Sequence, residues 1–327
     1  MIARRKLLIA LGAGVLAAPL ASFAQQQPKV AQIGFLGAET ASGRAIRVEA
    51  LRAGLRDLGY VEGKNIVIEF RWAEGNYDRL PDLAAELARL KVDVLVADGS
   101  KAVFAAKRAT TTIPVVMGIS GDAVFFGLVT SLARPGGNIT GTTLFSSELN
   151  GKRLELLKVA MPRITKVAFL LNSANPSSGP ELQAMETTAK SLKLGLQPFE
   201  VRGPDEFDSA FAAMAKRRVD AIVVQSETMF TVNAKVIANL ATKQRLPSIG
   251  YLNFAEAGGL IGYGSNPDEP FRRAAVFVDK ILKGAKPGDL PVERATRFEM
   301  VINRKTAKAL GLTISQELLL RADKVIE

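Results

Sequence analysis

The two halves of the chain repeat one order of strand-like and helix-like segments, and this repeat constrains the fold more than any other feature. Four short motifs of the first half recur in the second half, in the same order, 127 to 137 residues further along. One such match is common in α/β proteins, whereas four in a single order predict two copies of the same lobe. The matched pairs are residues 29–31 with 166–168, 58–59 with 194–195, 92–96 with 219–223, and 113–115 with 246–248.

Each half alternates short apolar runs with amphipathic segments. The runs are rich in β-branched residues and are bounded by polar residues or glycine, as expected of strands buried on both faces. Between the first two runs, Val48, Leu51, Leu55 and Leu58 recur at helical spacing. The alternation predicts right-handed βαβ units and an α/β fold with two doubly wound parallel-sheet lobes. In the first half the predicted strands are residues 30–36, 66–70, 92–97 and 115–117.

The chain is expected to cross between the lobes three times, which would form a three-segment hinge. A Pro-Gly-Gly turn at 134–138 precedes a strand-like run at the first crossing. A helix over 271–282 then returns to the first lobe, and a strand-like run at 298–302 crosses back. The first lobe is therefore predicted to comprise residues 29–143 and 264–293, and the second lobe residues 144–263 and 294–327.

Residues 1–24 have the composition of a secretory signal. Arg4, Arg5 and Lys6 precede an apolar run, and small residues follow it up to Ala24. The apolar run is about 14 residues long, short of the roughly 20 that a helix needs to span a bilayer. We expect cleavage near Ala24 and a periplasmic mature chain, exported by the general secretory or the twin-arginine route. The sequence has no cysteine, so it is not expected to be a lipoprotein or to form disulfides.

The positive charge of the chain does not point to nucleic acid. The formal net charge is +11, but Lys and Arg are scattered over predicted helix faces, and aromatic residues make up only 6% of the chain. A nucleic-acid-binding surface usually gathers basic residues into one patch or stripe. We therefore expect a basic, solvated surface and no nucleic-acid partner.

No catalytic residue, metal site or cofactor is expected. The sequence has neither His nor Cys, which excludes Ser-His and Cys-His nucleophile systems and imidazole or thiolate metal sites. A hydrolase that uses the carboxylates of Asp122 or Glu227 stays open as an alternative. The chain is expected to bind its ligand without converting it.

The loops that follow the carboxyl ends of the strands form the predicted binding site, since open parallel sheets bind ligands at this edge. These loops are rich in Ser, Thr, Asn, Gln, Gly and acidic residues, which offer hydrogen bonds. The candidate ligand-binding residues of the first lobe are Gly37, Ala38, Glu39, Thr40, Gly99, Ser100, Ser120 and Asp122, and those of the second lobe are Asn172, Ser173, Asn175, Gln225, Ser226, Glu227 and Tyr251.

Several candidates have a specific expected role. Gly99 and Ser100 precede a helix, whose free N–H groups would receive a carboxylate. Asp122 and Glu227 would meet an ammonium group. The aromatic residues expected to pack on an apolar part of the ligand are Phe125, Phe230 and Tyr251.

Helix capping is the competing explanation for some of these polar residues. Ser100, Asn175 and Thr228 stand where a side-chain oxygen would accept a hydrogen bond from the first turn of a helix. Capping and ligand contact use the same atoms, so the sequence leaves both roles open.

Four long motifs resemble the bacterial ABC-transporter substrate-binding proteins of the tryptophan/tyrosine-receptor-like group. The resemblance implies a type I periplasmic binding fold, a small organic ligand between the lobes, and delivery to the permease and ATPase of an inner-membrane importer. The sequence departs from the family at Gly121-Asp122-Ala123, where the family has proline after the aspartate. The ligand of a relative is therefore not assigned to this chain on the basis of this loop. The motifs are residues 55–66 (LRDLGYVEGKNI), 71–81 (RWAEGNYDRLP), 109–116 (ATTTIPVV) and 132–141 (LARPGGNITG).

The sequence therefore predicts a monomeric periplasmic receptor that binds an amino-acid-like or aromatic carboxylate and presents it to an importer. A sensor of the same fold that reports to a signalling receptor is the alternative, and the residues do not separate the two.

Overall fold

Two open sheets with helices packed against them make up the part of the chain that the computed structural model describes. This part comprises residues 30–144, 146–266 and 268–327. The predicted signal sequence, residues 1–24, lies outside it.

The first lobe begins with parallel strands in the order β5-β4-β3-β1-β2. Alternate residues of β1 face opposite sides, so that Ile33 and Phe35 pack with the first helix and Leu36 packs with the next two. The strands predicted in this half are confirmed. The elements are β1 (Ala31–Gly37), α1 (Ala45–Asp57), β2 (Ile66–Trp72), α2 (Leu80–Arg89), β3 (Val94–Asp98), α3 (Ser100–Ala109), β4 (Val115–Ser120) and β5 (Ile139–Thr143).

The second lobe repeats this arrangement, with its parallel strands in the order β10-β9-β8-β6-β7. Each strand occupies the position of its counterpart in the first sheet, which confirms the duplication predicted from the sequence. The elements are α4 (Ser146–Ala160), β6 (Lys166–Asn172), α5 (Ser178–Ser191), β7 (Gly195–Val201), α6 (Phe207–Arg217), β8 (Ala221–Val224), α7 (Thr228–Val232), α8 (Ala234–Lys243), β9 (Ser248–Gly250) and β10 (Ile261–Gly264).

The C-terminal part of the chain contributes to both lobes. Helix α9 packs against α1 and β4, and β11 pairs with β5, so both belong to the first lobe. Strand β12 pairs antiparallel with β10, and β13 pairs with β12, so both extend the second sheet. The elements are α9 (Glu269–Leu282), β11 (Glu293–Arg294), β12 (Glu299–Asn303), α10 (Arg304–Ala309), α11 (Gln316–Leu320) and β13 (Lys324–Ile326).

The chain passes between the two sheets three times, after β5, after β10 and after β11. Gly264 is the last residue of β10 in the second sheet, and Arg294 is the last residue of β11 in the first. Within the described ranges, no helix is both long and apolar enough to span a membrane.

Helices α1 and α9 approach each other closely at Gly54. A Cβ atom built on Gly54 would lie 2.6 Å from the carbonyl oxygen of Arg272 and 2.8 Å from Cβ of Ala275. Such separations are shorter than van der Waals contact, so the absence of a side chain at Gly54 is what lets α9 pack flat on the first lobe.

Candidate ligand-binding site between the lobes

The carboxyl ends of the two sheets face each other. The hydroxyl of Tyr77, which follows β2, donates to Oε1 of Glu227 after β8 at 3.2 Å. Nη2 of Arg44, which follows β1, donates to Oγ1 of Thr231 in α7 at 3.3 Å. These contacts bring the loops of the two lobes into one cleft, as the strand-edge rule predicts.

A cavity of about 520 Å³ lies within this cleft, a size typical of small-molecule sites. Residues of both lobes and of the crossing segments line it. Three large apolar side chains at its wall, Ile46, Val232 and Val236, are 71%, 46% and 49% exposed. Exposed apolar groups gathered around a cavity indicate that something else covers them. The other apolar wall residues are Ile119, Leu144, Leu149, Tyr251 and Leu252.

A smaller chamber of about 80 Å³ adjoins the cavity. The two share wall residues that include Arg44, Arg47 and Ser226. Most of the predicted site residues that face the cleft lie around this smaller chamber. They are Gly99, Ser100, Ser120, Asn175, Ser226 and Glu227. Ser226 lines the larger cavity as well, and Tyr251 lines the larger cavity alone.

The predicted residues at the carboxyl end of β1 line neither chamber. Gly37 packs against the ring of Trp72, which would lie 2.2 Å from a Cβ atom at this position. Ala38 belongs to the core. Glu39 is buried beneath Tyr77, and Thr40 accepts a hydrogen bond from N–H of Gly43 in an exposed turn.

Asp122 lines a separate groove, together with Phe125 and residues of α5. Its Oδ1 accepts hydrogen bonds from the N–H groups of Val124 and Phe125, so the carboxylate stabilises its own turn. Phe125 is 63% exposed there, whereas Phe230 is fully buried in the core of the second lobe. The sequence grouped these three residues around the ligand, and the structure places them at separate locations.

Three other predicted residues lie at the carboxyl ends of β6 and β8 in the second lobe. Gln225 and Asn172 are fully buried, and Oε1 of Gln225 accepts a hydrogen bond from N–H of Asn172 at 2.9 Å. Ser173 follows β6, and its N–H donates to the carbonyl oxygen of Val201. None of the three lines either chamber of the cleft as described.

Capping explains some of the polar candidates and not others. The hydroxyl of Ser100 does not cap α3, and instead its Oγ accepts from N–H of Gly121 at 2.9 Å. Glu227 rather than Thr228 caps α7, with Oε2 accepting from N–H of Met229 at 2.7 Å. Asn175 accepts from N–H of Ser177 in the turn before α5.

Two arginines near the start of α1 bring positive charge to the cleft. Arg44 and Arg47 both pair with Asp98 at the end of β3, at 3.3 Å and 2.7 Å. The side chain of Asp98 is only 1% exposed. Burial lowers the pKa of Arg47, and the negative charge of Asp98 opposes this decrease. Neither arginine was predicted from the sequence, because charged helix residues are usually solvated. The signal that could have identified them is their spacing of three residues, directly after a strand-edge loop.

A third arginine, Arg153 of α4, enters the cavity from the second lobe. Its Nε donates to the carbonyl oxygen of Tyr263 at 2.9 Å, and its Nη1 donates to Oδ1 of Asn150 at 2.7 Å. Asn150 in turn donates to Oε2 of Glu181 at 2.7 Å. Burial lowers the pKa of Arg153 to about 10 and raises the pKa of Glu181 to about 7. Arg153 is therefore still charged at neutral pH.

Tyr77 connects two buried carboxylates. Its hydroxyl lies 3.4 Å from Oε1 of Glu39 and 3.2 Å from Oε1 of Glu227, and Nζ of Lys101 lies 3.6 Å from the centre of its ring. Burial raises the pKa of Glu39 to about 7, with the charge of Arg44 opposing the rise, and burial also raises the pKa of Glu227. Tyr77 was not predicted from the sequence, because it follows β2, the edge strand beside β1.

The chemistry of these groups is that of binding. Guanidinium, hydroxyl and backbone groups offer charge and hydrogen bonds, and the apolar wall offers contact area. In the part of the chain that the structure describes, no cluster of acidic residues is arranged to hold a metal ion.

Residues 38–326 match the model of the family described as ABC transporter substrate binding protein. The chain belongs to this family. Among curated proteins, the tyrosine-binding protein of Clostridioides difficile (strain R20291) is 27% identical over 259 residues, which cover 79% of this chain and 74% of that protein. The family membership confirms the resemblance recognised in the sequence motifs.

Two solved structures also resemble the chain over most of its length. A conserved domain protein from Vibrio cholerae has a TM-score of 0.86 at 26% identity, covering 91% of this chain and all of that chain. An ABC domain from Streptococcus pneumonia in complex with L-Trp has a TM-score of 0.82 at 26% identity, covering 90% of this chain and all of that chain. The type I periplasmic binding fold predicted from the sequence is confirmed.

Proposed function

We propose that this protein is the solute receptor of an ABC importer and that it holds a small amino-acid-like or aromatic carboxylate in the cavity between its lobes. The observation that carries the proposal is the cavity itself, which is walled by charged groups and exposed apolar side chains from both lobes. The tyrosine-binding relative and the L-Trp complex of a structural relative support the ligand class.

Ligand-dependent closure is the proposed mechanism. A ligand that touches both lobes favours the closed arrangement by the difference in its affinity for the closed and open forms. The three crossing segments would serve as the hinge, with residues 29–143 and 264–293 moving against 144–263 and 294–327. The importer would recognise the closed form.

The proposed contacts combine predicted residues with the arginines that the structure adds. Ser100, Ser120, Asn175 and Ser226 offer hydroxyl and amide groups beside the two chambers, and Tyr251 offers a ring. Arg44, Arg47 and Arg153 offer charge from both lobes.

The cellular context follows from the family and from the signal-like N-terminus. The chain would be exported to the periplasm, cleaved near Ala24, and act as a monomer without turnover of its ligand. Its partners would be the permease and the ATPase of an inner-membrane transporter.

A melting-temperature screen tests the proposal. The mature chain is heated with amino acids, aromatic acids and short organic acids, each at saturating concentration. A ligand present at a hundred times its Kd adds about 2.7 kcal/mol to the unfolding free energy, which is readily measured. Absence of any shift across the screen would contradict the proposal.

A cavity-filling variant then locates the site. Val232→Trp replaces a half-exposed residue of the cavity wall, so it fills the cavity without changing the core. We expect affinity to fall at least about tenfold, equivalent to about 1.4 kcal/mol. Val159→Trp is the matched control, because Val159 is equally exposed on α4 and does not line the described cavity. Equal effects of the two substitutions would place the ligand elsewhere.

A further inference from the structure

The guanidinium of Arg153 is a buried positive charge without an ion-pair partner. The side chain is 1% exposed, and no carboxylate oxygen of the described residues lies within 4 Å of it. Two of its nitrogens donate to neutral acceptors of Asn150 and Tyr263, whereas Nη2 has no hydrogen-bond acceptor among the described residues. Leaving a charge in such surroundings costs free energy unless another charge compensates it.

Glu181 compensates this charge only in part, because it lies beyond ion-pair distance, although its negative charge opposes the decrease in the pKa of Arg153. Glu181 is separated from Arg153 by the amide of Asn150. Its Oε2 already accepts hydrogen bonds from Asn150 and from Nε2 of Gln225, at 2.7 Å and 3.1 Å. The free guanidinium nitrogen faces the cavity, where the carboxylate of a ligand would complete the compensation of its charge.

The wall of the larger cavity carries an excess of positive charge. Its basic residues are Arg44, Arg47, Arg153 and Lys235, and Asp268 is its one acidic residue among those described. Asp98 lies behind Arg44 and Arg47 and is already shared between them. Even with Asp98 included, basic side chains outnumber acidic ones by two. Such a wall attracts an anion and disfavours a cation.

The acidic residues of the smaller chamber, Glu181 and Glu227, already accept hydrogen bonds from the protein. Oε1 of Glu227 accepts from the hydroxyl of Tyr77, and Oε2 accepts from N–H of Met229. Glu181 is held by Asn150 and Gln225 as described above. Both oxygens of Glu227 are therefore engaged, whereas Glu181 accepts both of its hydrogen bonds on Oε2 and does not line the larger cavity that Arg153 faces.

We propose that the preferred ligand is an organic acid without an amino group, and that its carboxylate pairs with Arg153. Its apolar part lies against Ile46, Val232 and Val236, the exposed apolar residues of the same cavity. This inference rests on the proposed function, since it specifies the ligand of the same site. It separates this chain from a receptor that selects a zwitterionic amino acid.

Calorimetric titration with matched compounds tests the preference for an acid. The mature chain is titrated with 3-(4-hydroxyphenyl)propionate, L-tyrosine and tyramine, and with the corresponding indole compounds. Within each set the ring is constant, and only the carboxylate and the ammonium change. We expect the acid to bind at least about tenfold more tightly than the amino acid, because juxtaposed like charges cost more than the corresponding 1.4 kcal/mol. The amine is expected not to bind.

Variants of Arg153 test the anchor. Arg153→Gln should weaken binding of the acid at least about 30-fold, as for loss of one partner of a buried charge pair. Arg153→Lys should recover part of that loss because it restores the charge. Arg297→Gln is the control, since Arg297 is 78% exposed and pairs with Glu299 outside the cavity. Thermal melting without ligand shows whether each variant folds. If Arg153→Gln does not fold, the order of affinities of the matched compounds for the wild-type chain tests the inference.

The possible outcomes separate this inference from the proposed function. An amino acid that binds as tightly as its acid, or an Arg153→Gln variant that binds the acid as the wild type does, overturns the inference and leaves the receptor role in place. If the best ligand of the wider screen is a cationic or neutral solute, the inference is likewise overturned and the receptor role stays in place. Absence of binding by every solute overturns both.

Discussion

Replacing Asp98 by asparagine should destabilise the first lobe strongly, because Asp98 is the shared counter-charge of Arg44 and Arg47. The carboxylate is 1% exposed, and the two guanidiniums are 6% and 12% exposed. Asp98→Asn keeps the shape of the side chain and removes its charge. Two buried guanidiniums then lie side by side with no negative charge between them.

The expected loss follows from this burial. Breaking a buried ion pair costs about 3–5 kcal/mol, because the remaining charge is left without compensation. For a unit of this size, the corresponding decrease in melting temperature is about 10 °C. Asp57→Asn is the matched control, since Asp57 pairs with Arg272 at the surface, where both side chains are more than half exposed. An exposed pair contributes only about 0–1 kcal/mol.

Circular dichroism during urea and thermal unfolding of the ligand-free chain gives the free energy of unfolding and the melting temperature. We expect Asp98→Asn to shift the transition and Asp57→Asn to leave it nearly unchanged. A loss below about 1 kcal/mol for Asp98→Asn would be typical of an exposed pair. That result would refute the buried pair of arginines at the cleft.

Two further substitutions test the packing and the electrostatics. Gly54→Ala should destabilise the chain by about 1–3 kcal/mol in urea unfolding, since its Cβ would lie 2.6 Å from the carbonyl oxygen of Arg272. Gly179→Ala is the control and should not destabilise the chain, because no atom lies within 4 Å of a Cβ at this position. Equal effects of the two substitutions would contradict the close approach of α1 and α9. Burial raises the pKa of Glu39 from 4.5 to about 7. Between these pH values Glu39 stays protonated in the folded state and ionises in the unfolded state. The free energy of unfolding therefore falls by roughly 3 kcal/mol as pH rises from about 4.5 to 7. Glu39→Gln keeps an acceptor for Tyr77 and should remove this decrease, and an unchanged pH profile would contradict the assignment.

The sheets were predictable because their signal is local. Apolar, β-branched runs such as residues 92–97 identify buried strands, and the repeat of motifs assigns them to two equal lobes. The direction of β12 was not predictable, because an apolar run has the same pattern whether it pairs parallel or antiparallel. The short elements after residue 303, helices α10 and α11 and strand β13, lack a long periodic pattern and were not predicted either.

The site was only partly predictable, because its residues come together through tertiary packing. The strand-edge rule selects Ser100, Ser120 and Ser226, which do line the cleft. It does not select Arg153, because this residue lies within a helix, where a charged side chain is usually solvated. Arg153 is buried because α4 packs against β9 and β10, and its Nε donates to the carbonyl oxygen of Tyr263 in β10. Gln225, which follows a strand, faces the interior instead of the cleft.

A crystal structure of the mature chain with the best ligand of the screen tests the central claim most directly. The account predicts density for the ligand inside the cavity, in contact with Arg44 or Arg47 of the first lobe and with Arg153 of the second. Density on the surface of a single lobe, with the cavity occupied only by solvent, would contradict it.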